Sequence, residues 1–194
     1  MSATEDLHEL TDKALLARHT TPGDDGRAFG ELFRRHRDRM YAVALRTTAD
    51  PELAADCVQE AFISAFRRAG AYRGEAAVTT WLHRIVVNAC LDRLRSPQVL
   101  RRAGDLAEVD LAAEGDRPEQ VTTRILVHSA LAALPEAQRV ALVLVDMEGL
   151  SVTEAAEILQ VAEGTVKSRC SRGRQALVAE LARRGWPPDP EGTE

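Results

Sequence analysis

Between Glu163 and Arg174 the chain carries four cations, Lys167, Arg169, Arg172 and Arg174, against one acid, with Ser168 and Ser171 set among them. Ammonium, guanidinium and hydroxyl groups at this density neutralise phosphate and hydrogen-bond base edges. On a helix, steps of about 100° bring Lys167, Ser168, Ser171, Arg172 and Gln175 to one face. Arg169 and Arg174 flank it, where their stems pack and their heads reach phosphate. A second set lies upstream. Trp81, Arg84, Asn88 and Arg95 share a helix face, so a large aromatic stands beside cations and an amide. Such a ring stacks on an exposed base, guanidinium groups hold phosphate, and an Asn bonds a base edge. Tyr72, Arg73 and Gly74, in the break AYRGEAA, suit a loop that receives an extruded base. Plainer readings stand beside both sets: a solvated basic helix for the first, and packing of Trp81 against a neighbouring helix for the second.

Other chemistries find little support. The five histidines are scattered without metal-ligand spacing, and no GxxxxGK[ST] phosphate loop occurs, so no metal, cofactor or catalytic residue is expected. Cys57, Cys90 and Cys170 are far apart and odd in number, which argues against a secreted disulfide framework and for a reducing cytoplasm. Each falls at a helical position suited to a small apolar group, so buried thiols are expected. No apolar run reaches membrane-spanning length, so no membrane insertion is expected.

The elements that must position these groups are legible from caps and stripes. Ser151 with Glu154 is a capping box, starting a short helix packed through Ala155, Ala156, Ile158 and Leu159. The run breaks near Gln160 and Val161, and a second helix begins around Glu163 with Val166, Cys170, Gly173, Leu177 and Leu181 toward the core. Two short helices at this spacing, with cations on the second, form a helix-turn-helix whose second helix enters the major groove. Upstream, Asp50, Pro51 and Glu52 start a helix running to about Arg68, with Ala55, Val58, Phe62, Ala65 and Phe66 as its core stripe. Asp56, Gln59, Glu60 and Ile63 lie outside that stripe, and the exposed branched residue hints at a protein partner. Thr79 or Thr80 caps the next helix, to about Arg95, with Leu82, Ile85, Val86 and Ala89 buried.

With 194 residues, 45% of them apolar and 4% aromatic, the chain reads as all-α: two small helical domains joined by a flexible acidic linker. Residues 1–95 form the first domain, balanced at 14 basic and 14 acidic groups. Residues 96–124, with six acids to four bases, read as the linker, and 125–185 as the second domain, where Pro135 occupies the first turn of a helix reaching about Met147. Residues 186–194 read as a disordered tail. The net charge of −5 excludes a nonspecific nucleic-acid coat, so contact must come from local basic faces or with help from a larger partner.

QEAFISAF, AYRGEAAVTTWLHRIVVNACLDRLR, LPEAQRVALVLVDMEGLSVTEAAEIL and EGTVKSR together resemble regions 2 and 4 of bacterial extracytoplasmic function (ECF) sigma factors, over about Ala28 to Ser96 and Ser129 to Arg184. The resemblance implies a non-enzymatic specificity subunit of RNA polymerase that binds the clamp of the largest subunit and the flap of the second-largest. It implies promoter DNA as ligand and an anti-sigma protein as regulator. Asp56, Gln59, Glu60 and Ile63 match the polymerase-docking helix, and Tyr72 to Val78 the loop that captures a flipped base. Trp81, Arg84 and Asn88 match the helix contacting the minus-ten strand. Lys167, Ser168, Ser171 and Arg172 match major-groove positions at the minus-35 element, beside Arg169 and Arg174. The acidic linker would thread the polymerase channel.

Some positions depart from the family pattern. Gln160 replaces a frequent Gly at the turn, so a turn of different shape is expected. Val78 and His83 replace aromatics near the base-capture loop, and Ser171 and Gly173 replace bulkier residues. Two rival functions remain at this level. One is a conventional helix-turn-helix regulator with an N-terminal sensing or dimerisation domain. The other is a DNA-processing enzyme whose acids gather in one cleft.

Overall fold

The computed structural model describes residues 7–96 and 118–186, and among these it contains eight α-helices and no strand. The expected tail after Trp186 and most of the expected linker lie outside the described residues. In the first half α1 (Asp12–His19) is capped by Thr11, whose side chain accepts from the Ala14 amide. The long α2 (Arg27–Thr48) buries Leu32, Met40, Val43 and Ala44, and both α3 (Pro51–Arg68) and α4 (Val78–Leu94) pack against it. Arg35 straps the start of the chain onto α2 through the Leu7, His8 and Leu10 carbonyls and Asp12. Buried Glu31 faces Arg35 as well: burial raises its carboxyl pKa, but the Arg35 hydrogen bond and the nearby cations hold it below the ordinary value.

At α3 the Asp50 cap is present, its carboxylate accepting the Leu53 amide at 2.9 Å. The core stripe differs from expectation. Val58, Phe62 and Ala65 are buried, but Ala54, Cys57 and Ala61 join them while Ala55 and Phe66 are exposed. The reason is that α3 packs against two neighbours, so its buried arc widens toward α4, where Cys57 and Cys90 are both fully buried. The start of α4 also differs. Neither Thr79 nor Thr80 caps it: the cap position is Ala77, without a side-chain bond. Val78, 5% exposed, is drawn into the core and carries the helix start with it, so both threonines sit in the first turn. Leu82 and Val86 are buried as expected, Ile85 and Ala89 only partly, and His83, Val87, Cys90 and Leu91 are buried as well.

The second half comprises α5 (Pro118–Ala132), α6 (Glu136–Leu142), a π-helical stretch (Val143–Met147), α7 (Val152–Leu159) and α8 (Glu163–Arg183). Helix α5 begins at Pro118, within the stretch expected to be linker; the proline suits a first turn, where no amide is needed. Pro135 is the cap of α6 rather than a first-turn residue, and α6 does not continue regularly to Met147. Its end widens, with the Glu148 amide bonding the Val143 carbonyl and Leu150 the Leu144 carbonyl, each at 3.0 Å.

The halves are not separate bodies. Val43 of α2 and Val87 and Leu91 of α4 belong to the apolar cluster built around Leu142, Val143, Leu144, Ile158 and Val166. Arg139 reaches across, donating to the Thr47 carbonyl at 3.0 Å and to Ala132 and Leu134. Glu148, its side chain 5% exposed, accepts from Arg39 at 2.8 Å, Arg46 at 3.2 Å and His83 at 3.3 Å. Burial raises the Glu148 carboxyl pKa, but the bonds from His83 and Arg39 and their charges bring it below the ordinary glutamate value.

Gly173 sets the spacing of α8 on α6. A Cβ there would lie 3.0 Å from Leu142 Cγ and Cδ1 and 3.3 Å from the Gln138 carbonyl oxygen. Leu142 is buried and the carbonyl is backbone, so neither yields easily. Gly173→Val is expected to destabilise the chain by about 1–3 kcal/mol through overpacking. Urea denaturation checks this, and an unchanged midpoint would show that the contact relaxes.

Candidate nucleic-acid interface

The helix-turn-helix is built by local chemistry. The Glu154 amide donates to Ser151 Oγ at 3.1 Å, while Glu154 Oε2 accepts the Ser151 amide at 2.9 Å, completing the capping box. These bonds from the Ser151 amide and hydroxyl lower the Glu154 carboxyl pKa. At the turn Gln160 adopts the left-handed conformation, φ 54° and ψ 45°, and its amide closes on the Ala156 carbonyl. The turn therefore keeps the geometry that a glycine would take, contrary to the expectation of a different shape; the closing bond holds Gln160 there. Thr153 donates to Glu163 at 2.8 Å, fixing α7 to the first turn of α8.

On α8, Val166, Cys170 and Gly173 are buried and Leu177 and Leu181 half-buried, as the stripe predicts. Lys167, Ser168, Ser171, Arg172 and Gln175 are exposed on the opposite face, with Arg169 half-buried at its edge. The Arg172 guanidinium folds back toward Ser168, 3.3 Å from its carbonyl oxygen, and Lys167 lies 3.9 Å from Glu163. Arg174 is engaged by a bidentate pair with Asp146 at 2.7 and 2.8 Å, so a phosphate must compete with that carboxylate for it.

The second face is a groove of about 760 Å³, lined by Tyr72, Arg73, Gly74, Trp81, Arg84 and Asn88. The six residues expected for strand contact thus share one surface. Gly74 turns the loop at φ +75°, and the Tyr72 hydroxyl donates to the Ala76 carbonyl at 2.5 Å, holding it. The Tyr72 and Trp81 rings stand 5.6 Å apart, inclined by 59°. Both also pack on the first core, so the Trp81 ring is at once a packing element and a groove wall. Val78 and His83 do not shape this groove. They are 5% and 1% exposed, and His83 faces Glu148 instead.

Of the four residues expected to dock a protein, Asp56, Gln59, Glu60 and Ile63 are all exposed, but they divide. Glu60 turns to the α4 groove and pairs with Arg93 at 3.4 Å. Gln59 and Ile63 border a separate apolar groove between α2 and α3, of about 850 Å³, with Phe33, Tyr41, Phe62 and Phe66. Phe33, Tyr41 and Phe66 are 36 to 45% exposed, an unusual outlay for a chain this poor in aromatics. Sequence reasoning missed them, though the i, i+4 spacing of Phe29 with Phe33 and of Phe62 with Phe66 was the available signal. Among the described residues no cluster of His, Cys, Asp and Glu is arranged to hold a metal, and no helix is long and apolar enough to cross a membrane.

The sequence matches Sigma-70 region 2 over residues 32–99 and Sigma-70 region 4 over 124–177. The ECF RNA polymerase sigma factor SigM of Mycobacterium tuberculosis is 49% identical over 175 residues, covering 90% of this chain and 86% of that protein. Among solved structures, the sigma factor RpoE of Bartonella quintana, crystallised with the anti-sigma factor NepR, superposes at TM-score 0.64 and 27% identity over 79% of this chain and 96% of its own. CnrH, solved with the cytosolic domain of CnrY, gives 0.63 and 26% over 89% and 97%.

Gln160 offers a test of the turn. A non-glycine residue is disfavoured in the left-handed region, so Gln160→Gly is expected to stabilise the chain by about 0.5–1 kcal/mol. A thermal melt checks it, and a loss of stability would show that the Gln160 side chain contributes more than its backbone costs.

Proposed function

The chain belongs to the extracytoplasmic function family of RNA polymerase sigma factors, and from that premise we propose how its surfaces divide the work of directing core polymerase to promoters. Residues 1–95 act as region 2 and 125–185 as region 4. Lys167, Ser168, Ser171 and Arg172 read the minus-35 duplex in the major groove, with Arg169 and Arg174 on the flanking phosphates. Tyr72, Arg73, Gly74, Trp81, Arg84 and Asn88 grip the separated minus-ten strand. Asp56, Gln59, Glu60 and Ile63 engage the clamp of the largest polymerase subunit, with the α2–α3 aromatic groove as the apolar part of that contact. Region 4 meets the flap of the second-largest subunit. No residue is assigned a bond-making role.

The observation that carries this reading is the convergence of Trp81, Tyr72, Arg84 and Asn88 on one groove, separate from the basic face of α8. A conventional helix-turn-helix regulator needs only the latter. Stacking of a base on an aromatic platform contributes about 1–3 kcal/mol, enough to bias a marginal strand separation once polymerase binds the backbone. The chain's charge of −5 makes that help necessary, since its own field repels DNA except at these faces. The chemistry of both faces, and the complex in which RpoE was solved with the anti-sigma factor NepR, support an anti-sigma protein as a further partner, covering surfaces otherwise open to DNA or polymerase.

Purified chain is expected to bind polymerase core and support promoter-specific run-off transcription; tight duplex binding without core association would favour the regulator reading. Trp81→Ala and Asn88→Ala are expected to retain partial promoter binding but lose permanganate reactivity of unpaired thymines, with activity recovered on a premelted template if melting is the step lost. Arg172→Ala is expected to weaken use of the minus-35 element by about 1–3 kcal/mol. Unchanged transcription would remove Arg172 from the reading surface.

A further inference from the structure

We infer that Asp146 is a specificity-determining residue of the duplex-reading face: it holds Arg174 at one reach and in one orientation, so that this cation serves a seated α8 and is withheld from other DNA. The inference rests on the proposed reading of the minus-35 duplex by α8. Its starting observation is that the cations of that face are not equivalent. Lys167 stands 3.9 Å from Glu163 and Arg172 turns back to the Ser168 carbonyl oxygen at 3.3 Å, both loose contacts on their own helix. Arg174 is gripped from another element. Its Nε donates to Asp146 Oδ2 at 2.8 Å and its Nη2 to Asp146 Oδ1 at 2.7 Å. Asp146 belongs to the π-helical stretch, and its side chain is 33% exposed against 57% for Arg174, so the acid is the sheltered member of the pair.

The backbone fixes both ends of this pair. Gly173 brings α8 against Leu142 of α6, and Arg174 and Asp146 lie just beyond that contact on their respective elements. A guanidinium presents its N–H donors as a planar fork, and the Asp146 carboxylate takes one on Nε and one on Nη2. The Nη1 edge stays open. A phosphate can bind there without displacing Asp146, provided that it lies in line with that edge. On a matching sequence, base contacts from Lys167, Ser168, Ser171 and Arg172 set the depth and register of α8 and bring a phosphate to a set place. On any other sequence those contacts are missing and α8 lies elsewhere. A pinned guanidinium cannot then follow the DNA backbone as a free side chain would, and the Asp146 charge repels a phosphate that approaches off line. Discrimination is a difference of two affinities, so weakening the wrong complex sharpens it as surely as strengthening the right one.

The test uses holoenzyme assembled from core polymerase and the full chain. Its probes are a promoter duplex that this holoenzyme transcribes in run-off reactions and the same duplex with the minus-35 element scrambled. Asp146→Asn removes the charge that holds Arg174; Arg174→Lys keeps the cation but cannot form the two-pronged pair, and it decides the matter if Asp146→Asn loses its fold by circular dichroism. Each variant is expected to bind the scrambled duplex severalfold more tightly and the promoter with less change, so that the ratio of the two affinities falls severalfold. For Asp146→Asn the affinity for the scrambled duplex is expected to fall more steeply with salt, by about 0.9 in the logarithmic slope, the mark of one added phosphate contact. In an Arg174→Ala background Asp146→Asn is expected to change nothing. An unchanged ratio, or one that falls only because promoter binding weakens, would overturn the inference. So would an Asp146→Asn effect that persists without Arg174, since Asp146 would then act by its own repulsion alone. Arg172→Ala and Lys167→Ala that leave both affinities unchanged would instead overturn the duplex-reading assignment, and the role of Asp146 with it.

Discussion

Glu148 is a carboxylate with almost no water contact, placed where the widened end of α6 meets α2 and α4. A charge removed from water is tolerable only with its partners in place, and loss of one partner of a buried pair commonly costs about 3–5 kcal/mol. Arg39, Arg46 and His83 must therefore stand at fixed positions on two helices of the first half whenever Glu148 is buried. That requirement registers region 4 on region 2. It sets α7 as a wall of the α4 groove, through Glu154, Glu157 and Ile158, while α8 keeps its cations exposed. The π-helical stretch belongs to the same constraint, since it immediately precedes Glu148 at the point of contact.

The two faces proposed for nucleic acid make different physical demands. Duplex reading needs exposed cations and hydroxyls on a rigid helix, and α8 is made rigid by close packing on α6 at Gly173, by the Ser151 capping box and by the Thr153 to Glu163 bond. Strand capture needs an aromatic surface that does not collapse when no base is present. Tyr72 and Trp81 meet that need by packing partly on the core, with the Tyr72 hydroxyl anchored to its own loop. The cations are concentrated on α8, and the chain's net charge of −5 leaves the proposed promoter affinity to be shared with polymerase.

What could be read from sequence was local. The Asp50 and Ser151 caps, the stripe and basic face of α8, and the polar face of α4 each follow from residues within a few turns, where helical periodicity is a sufficient guide. The errors arose where distant contacts decide. Val78 moved the start of α4 because the core takes its side chain, and α3 turned further inward because it serves two neighbours. Gln160 kept a left-handed turn because the surrounding helices and one backbone bond hold it there. His83 resembled a substituted groove aromatic in one dimension, yet its partner is 65 residues away in the other half. The acids Glu148 and Glu154 gave no sign of their roles across the seam, since nothing in their spacing points to α2 or α4.

One chain carries a groove walled by both halves and a basic face on α8 that stays exposed, and the proposed reading of two promoter elements by these two surfaces requires the halves to separate on the polymerase. The most direct measurement is the distance between nitroxide labels at exposed Glu52 on α3 and Gln175 on α8, by pulsed electron resonance, with the three buried native cysteines replaced by serine or alanine. A single short distance in the free chain, replaced by a longer one when core polymerase and promoter DNA are added, is the predicted result. An unchanged short distance in a transcriptionally active complex would contradict the account.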